Sequence, residues 1–399
     1  MLSRICKLPN KIDFFLFGPR ATGKSSLLRA RFQGSHVHFF DLLDAKVFES
    51  LSSRPDQLDQ ALVSIWESHV KVTESKMLPK PVIIIDEVQK LPHLLDTVHR
   101  FMGREQFQFI LTGSSARKLK RGTANLLGGR AVVRNLGPLS FLEIPNDDQS
   151  IHQRMVWGGL PKVFLSADDA DKIDLLIAYV KTYLSEEIVA EQLVRNLIPF
   201  RRFLPIAGQM NGRIINYSAI ARDLGTTHTT VQSYFEILED TLIGFSLPAW
   251  HNSLRKRIRT QPKFYIFDTG VARAMARTLD HSPQTGSSAF GELFEHFIVS
   301  EIRTLLAYEK PQWEMHYFQS AAGNEIDLVI DRGQGSPILI EIKSTDSLGK
   351  LDLGSTLRLM QDFKSEHCFV FSQDPLPKTL SSCVQGLHWK DGIQAVLAL

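Results

Sequence analysis

Hydrophobic and polar positions fall into blocks whose texture changes along the chain. Up to about residue 138, short runs that are apolar at nearly every position alternate with longer stretches of helical period. A run without polar interruption fits a strand buried on both faces, and its alternation with helices predicts a parallel α/β layer. Phe14–Phe17, His36–Asp41, Pro81–Ile85 and Phe107–Leu111 are the predicted strands, and Gln57–Val70 is an amphipathic helix between two of them. Gly137-Pro138 marks a break. Leu139–Gly212 then reads as helical, with Ile173–Glu187 the longest segment and Ile188–Asn196 as a continuation. Tyr217–Leu224 and the stretch from His228 form two short helices around Gly225-Thr226-Thr227, the spacing of a helix-turn-helix. Beyond Phe264 the α/β texture returns. A helix covers Gly291–Val299, a strand covers Asn324–Ile330, and a second strand runs over Ile338–Lys343 after a turn. The expected divisions are residues 1–138, 139–212, 213–263 and 264–399.

The first predicted strand runs into Gly18-Pro19-Arg20-Ala21-Thr22-Gly23-Lys24-Ser25, and Ser26 begins helical sequence. Strand, G-x-x-x-x-G-K-[ST], helix is the pattern of a phosphate-binding P-loop. Glycines let backbone N–H groups converge on polyphosphate without a Cβ in the way, and the helix adds its positive dipole end. Lys24 is the expected ligand of the β- and γ-phosphates, and Ser25 of Mg²⁺. The third strand ends in Asp86-Glu87. Asp86 is expected to hold the metal through water and Glu87 to polarise the attacking water. The fourth strand ends in Thr112-Gly113-Ser114-Ser115, where a hydroxyl can touch the γ-phosphate or that water, as the sensor residue of AAA+ ATPases does. Thr112 is favoured, with Ser114 as the alternative. Arg117, Arg121 and Arg130 are candidates for an arginine finger, of which Arg130 is preferred. No N-K-x-D segment for reading guanine is present, so ATP is the expected nucleotide.

The last third holds a second set of chemical groups. Period-two alternation places Glu341 and Lys343 on one face, and hairpin pairing brings Asp327 beside them. Two carboxylates and a lysine can hold a divalent cation and stabilise charge on a phosphate. This is the D…E-x-K arrangement of restriction-endonuclease-like folds, with Glu295 on the preceding helix as a further acid. In the helix-turn-helix, Thr227, His228, Thr230 and Gln232 are placed to reach bases or phosphates. Arg255, Lys256, Arg257, Arg259 and Lys263 form the densest basic cluster, where a wing would meet a phosphodiester backbone.

Composition narrows this only slightly. The 399 residues are 43% hydrophobic and 22% charged, ordinary for a globular protein, with room for two to four domains. A net charge of +3 does not itself announce nucleic acid. Three scattered cysteines argue against a disulfide scaffold and fit a reducing cytoplasm. No apolar stretch is long enough for a membrane span.

Taken in order, these motifs resemble those of prokaryotic AAA+-type ATPases whose C-terminal half is a domain of unknown function. The resemblance also rests on Gly129-Arg130, Pro138-Leu139-Ser140-Phe141, Gly158-Gly159-Leu160-Pro161, Tyr234–Glu239 and Phe267-Asp268-Thr269-Gly270. It implies an α/β P-loop NTPase core with a helical lid, a winged-helix module and a restriction-endonuclease-like C-terminal domain. It further implies ATP and Mg²⁺ as cofactors and a homo-oligomeric ring, of which a hexamer is one form. A sensor-2 arginine is not identifiable. The favoured expectation is an ATPase that acts on DNA. The alternatives are a nucleotide-controlled, protein-binding switch with an inert nuclease-like scaffold, and an ATP-licensed metal-dependent nuclease.

Overall fold

A computed structural model describes residues 2–54, 56–73, 79–115, 129–144, 151–184, 197–251, 260–320, 322–350, 354–363 and 365–399. The chain divides into two compact units. The first comprises Met1–Gly137 with Asp240–Leu242, and the second comprises Pro138–Glu239 with Ile243–Leu399.

The first unit is built on five parallel strands: β1 (Phe14–Phe17), β2 (Val37–Asp41), β3 (Val82–Asp86), β4 (Gln108–Gly113) and β5 (Val132–Asn135). Their order is β2-β3-β4-β1-β5. Every residue of β1, β3 and β4 is buried, which is why these segments are apolar without alternation. One side of the core gathers Phe15, Phe17, Ile83, Ile85, Phe109 and Leu111 with helix residues such as Leu58, Leu62, Val98 and Phe101. The predicted Gln57–Val70 helix is observed as Gln57–Thr73.

The second unit contains two sheets. A three-stranded antiparallel sheet joins β6 (Arg213–Ile214), β7 (Gly244–Leu247) and β8 (Lys263–Ile266) in the order β6-β8-β7. The helices Leu197–Gln209, Tyr217–Leu224 and His228–Asp240 precede β7, and the latter two are the short helices expected around Gly225-Thr226-Thr227. Gly225 ends the first of those two with φ of 63°, a left-handed conformation that glycine adopts without steric cost. One apolar cluster runs from Leu160 through Phe203, Phe235 and Phe264 to Met275. Residues of the expected lid, helix-turn-helix and C-terminal divisions therefore share a core. The expected boundary at 263 falls at the first residue of β8, a strand already paired on both sides.

The larger sheet has six strands in the order β13-β14-β12-β11-β10-β9. They are β9 (Glu314–Gln319), β10 (Glu325–Asp331), β11 (Ile338–Ile342), β12 (His367–Ser372), β13 (Lys378–Thr379) and β14 (Val384–His388). β10 and β11 pair antiparallel, with Leu328 opposite Ile340, whereas β11, β12 and β14 run parallel. The helix expected around Gly291–Val299 extends over Ser288–Glu309. The predicted Ile173–Glu187 helix is observed as Asp169–Ala178 followed by a looser helical turn to Leu184; Ile188–Asn196 lies outside the described residues.

Candidate functional site

In the first unit the candidate groups meet at the carboxyl edge of the parallel sheet. β1 delivers Gly18, whose N–H donates to the Gly113 carbonyl at 3.3 Å. A Cβ on Gly18 would lie 2.3 Å from the Leu136 carbonyl oxygen, so only glycine fits there. Ala21 and Gly23 take φ of 62° and 92°, which curls the loop. The Thr22 hydroxyl donates to the Pro19 carbonyl at 2.9 Å. Lys24 opens the Lys24–Arg31 helix, is buried, and donates to the carbonyls of Gly18 and Pro19 at 2.8 and 3.1 Å. Arg4, a residue the sequence did not single out, braces the loop by donating to the Thr22 and Gly137 carbonyls at 2.6 and 2.8 Å.

The strand order places the other groups beside this loop. Because β4 lies between β1 and β3, its Thr112 sits next to Asp86 at the end of β3. The Thr112 hydroxyl donates to Asp86 Oδ1 and accepts from the Glu87 N–H at 3.0 Å. Asp86 Oδ2 is buried and has no hydrogen-bond partner. Burial pushes the Asp86 pKa up, and the hydroxyls of Ser25 and Thr112 work in the opposite direction. Glu87 has φ of 60° and ψ of 45°, left-handed values uncommon for a non-glycine residue and typical of strained functional positions. Its Oε2 accepts from Gln89 Nε2 and, at 3.3 Å, from the Ser114 hydroxyl, while Oε1 lies 4.0 Å from Lys24 Nζ. Both hydroxyls that the sequence offered are thus engaged: Thr112 with the metal-type acid and Ser114 with the base-type acid. Arg130 is exposed and donates to the His99 carbonyl at 3.4 Å, on its own unit's surface. Arg117 and Arg121 lie outside the described residues.

The second unit gathers its acids on different elements. The Ile342 N–H donates to Asp327 Oδ2 at 2.7 Å, which fixes the β10 carboxylate against β11. Lys343 Nζ lies 2.5 Å from Glu341 Oε1, and Glu341 Oε2 is buried without a partner. Burial is the largest cause that raises the pKa of both Asp327 and Glu341; their mutual repulsion adds to it for Asp327, and Lys343 opposes it. Glu295, on the Ser288–Glu309 helix, accepts from the Tyr265 hydroxyl at 2.6 Å and from Lys263 at 3.1 Å. Lys263 also pairs with Glu325.

The position of Lys263 corrects one expectation. It is a buried partner of two carboxylates, not a surface cation for a phosphodiester backbone. As the first residue of β8 it is buried, and Glu325 of β10 and Glu295 of the Ser288–Glu309 helix hold its ammonium. Arg255, Lys256, Arg257 and Arg259 lie outside the described residues. Among the described residues, no three His, Cys, Asp or Glu side chains converge as metal ligands, and Glu295 bonds Lys263 and Tyr265. Thr227 and His228 are exposed at the start of the second helix, and the Thr227 hydroxyl caps it by accepting from the Thr230 N–H at 3.2 Å. Gln232 Nε2 donates to Glu236 at 3.2 Å.

Several motifs without an assigned role meet inside the second unit. Asp268 accepts from the N–H groups of Gly159 and Val271 at 2.7 and 3.0 Å. Beside it, Arg154 and Glu301 form a buried ion pair at 2.7 Å, and Arg154 also donates to the Leu139 carbonyl. The Phe141 N–H closes the arrangement on Glu301 at 3.1 Å. Burial drives the Glu301 pKa up to about 7. These groups hold the entry segment, the Gly158-Gly159 turn and the Thr269–Ala276 helix together.

Residues 11–145 match the family model described as an AAA domain. Residues 148–282 and 290–386 match two domains of unknown function, DUF8612 and DUF4143. An uncharacterized protein of Mycobacterium tuberculosis is 27% identical over 268 residues, which cover 67% of this chain and 59% of that protein. The chain thus spans about three-fifths of the length of the mycobacterial relatives that it matches. An uncharacterized protein of Haemophilus influenzae is 25% identical over 301 residues, covering 68% of this chain and 73% of that protein. Among solved structures, the chain has a TM-score of 0.25 and 16% identity to C. elegans PCH-2, over 57% of this chain and 61% of that one. The Thermococcus gammatolerans McrB AAA+ hexamer with bound McrC gives a TM-score of 0.24 and 10% identity, over 67% and 80% of the two chains. Scores this low carry no argument. The AAA-domain match and the parallel sheet with its Gly18–Ser25 loop support a P-loop ATPase. Among the described residues, no helix is long and apolar enough to cross a membrane.

Proposed function

We propose that the chain binds and hydrolyses ATP and uses the turnover to act on DNA. The observation that carries the first part is the edge of the parallel sheet. A glycine-framed loop, a buried lysine, a carboxylate oxygen without a partner at Asp86 and a second acid at Glu87 lie within one small region. Asp86 Oδ2 and the Ser25 hydroxyl are suited to a hydrated Mg²⁺, which when bound would neutralise charge on the β- and γ-phosphates. The loop N–H groups and Lys24 orient the triphosphate. Glu87 accepts the proton of the attacking water, and Gln89 and Ser114 hold its carboxylate in place. Thr112 ties the two acids together, so that both are fixed before reaction.

The DNA part draws on the second unit. Three helices and the β6-β8-β7 sheet support the winged-helix reading, in which Thr227, His228 and Thr230 stand at the start of the second helix. The Arg255–Arg259 run lies between β7 and β8 in sequence. The test is the rate of phosphate release with and without single-stranded, duplex and branched DNA, with Lys24→Ala as control. Stimulation that fades steeply with salt is expected. A rate indifferent to every DNA form removes DNA from the reading and leaves the nucleotide switch. Assembly into a ring through Arg130 is part of the same proposal.

A second reading has its own observation. Asp327, Glu341 and Lys343 converge, and Glu341 keeps a buried oxygen without a partner. This fits a divalent-cation site for phosphodiester cleavage. Asp327→Ala is then expected to abolish Mg²⁺- or Mn²⁺-dependent cleavage while ATP turnover persists.

A further inference from the structure

The acidic cluster of the second unit contains one group that its nuclease-like reading does not use. Lys263 enters from β8, outside the six-stranded sheet that carries Asp327 and Glu341. Its ammonium bonds Glu295 and Glu325, and its side chain is only 6% exposed. The Tyr265 hydroxyl, two residues along the same strand, bonds the same Glu295 oxygen. Glu295 is therefore held from two directions by groups of one strand. On the other side of the cluster, Glu341 Oε2 is buried and unbonded, whereas Asp327 Oδ2 is fixed by a backbone N–H. On the Asp327–Glu341 side, Glu341 Oε2 is a buried oxygen with unused capacity.

We propose that Lys263 is a built-in cation of this cluster: Asp327 and Glu341 take one divalent ion, and the Lys263 ammonium fills the place at Glu295 that a second ion would need. The charge count agrees. The carboxylates of Glu295, Glu325, Asp327 and Glu341 face the ammonium groups of Lys263 and Lys343. Fully ionised, that set is two charges negative, which one divalent ion cancels; a second ion would leave an excess of two positive charges with Lys263 present and of one without it. A hard divalent ion held by two carboxylates completes its shell with water, so no third acid is required. The low dielectric of a buried site makes any uncompensated charge expensive, so the resident ammonium excludes a second ion more strongly than it would at the surface. The inference takes the kind of ion from the second reading above and the number of ions from the geometry.

The test counts Mn²⁺ bound to the full chain without nucleotide, by calorimetry and by the electron paramagnetic resonance of free Mn²⁺. Counts are taken relative to Asp327→Asn, which subtracts ions bound elsewhere. Wild type is expected to hold one Mn²⁺, Glu295→Gln still one, and Lys263→Arg still one. Lys263→Met is expected to hold two, and Lys263→Met with Glu295→Gln to return to one. Zero or two in wild type overturns the proposal, and so does a count of one in a folded Lys263→Met. Should Lys263→Met not fold, Glu295→Gln decides: loss of the wild-type ion makes Glu295 a ligand and the proposal fails. DNA cleavage is scored separately. Expected counts without cleavage sink the nuclease reading alone; cleavage with two ions in wild type sinks this inference alone.

Discussion

The two units solve the problem of holding charge in opposite ways. In the first, the candidate phosphate loop is made of backbone: Gly18, Ala21 and Gly23 set its shape, and Lys24 and Arg4 brace it by donating to carbonyls. In the second, the cluster is made of side chains from β8, β10, β11 and a helix, and it is balanced by ammonium groups. Each keeps one buried carboxylate oxygen without a partner, on Asp86 and on Glu341. The difference teaches where each is fragile. The backbone loop depends first on its shape, and the side-chain cluster on its charge balance.

The largest expected effect is on turnover in the first unit. Glu87→Gln should retain nucleotide and slow phosphate release by about 10²–10⁴, the usual contribution of a general base. A rate within about threefold of wild type would deny Glu87 that role. Next comes charge balance in the second unit. Arg154→Met strands Glu301 in the interior and should cost about 3–5 kcal/mol, read as a lowered midpoint in thermal or urea unfolding. An unchanged midpoint would mean the pair is dispensable and the contrast between the units overstated.

The same pair gives a pH dependence. Glu301 has its folded pKa raised to about 7 from an ordinary 4.5, so the folded state holds this proton more tightly than the unfolded state. Its contribution is complete below 4.5 and is lost as pH rises toward 7. The stability of wild type minus that of Glu301→Gln should therefore fall by about 2–3 kcal/mol between about pH 5 and pH 8. Taking the difference removes His296, whose pKa is lowered to about 4 by burial and whose slope has the opposite sign. A flat difference breaks the assignment. The smallest effect returns to the first unit. Thr112→Val leaves the Glu87 N–H and Asp86 Oδ1 without their shared hydroxyl and should cost about 1–3 kcal/mol. It should also slow hydrolysis more than it weakens nucleotide binding, because both acids lose their tether.

Much of the first site is legible in the amino-acid sequence. The Gly18–Ser25 loop, Asp86-Glu87 and the hydroxyls after β4 lie at strand ends, and each strand is announced by an unbroken apolar run. Arg4 is not legible, because a lone arginine near a chain end carries no periodic signal. Lys263 misleads for a related reason. It closes a basic stretch in sequence, yet the first residue of a strand belongs to whatever that strand packs against. Arg154 and Glu301 are visible only as scattered polar residues and Asp268 only as part of a motif without an assigned role, because their partners lie more than a hundred residues away.

The sequence by itself determined the elements and their local chemistry: buried strands from apolar runs, a phosphate loop from its glycines, and a β10–β11 hairpin that brings Asp327 to Glu341. Those features depend on neighbours a few residues apart, or on one turn. Tertiary structure alone decided that β4 inserts between β1 and β3, which joins Thr112 to Asp86, and that β8 carries Lys263 to Glu295 and Glu325. Strand order and ion pairing across elements follow from which surfaces exclude water together, and no local pattern of residues encodes that.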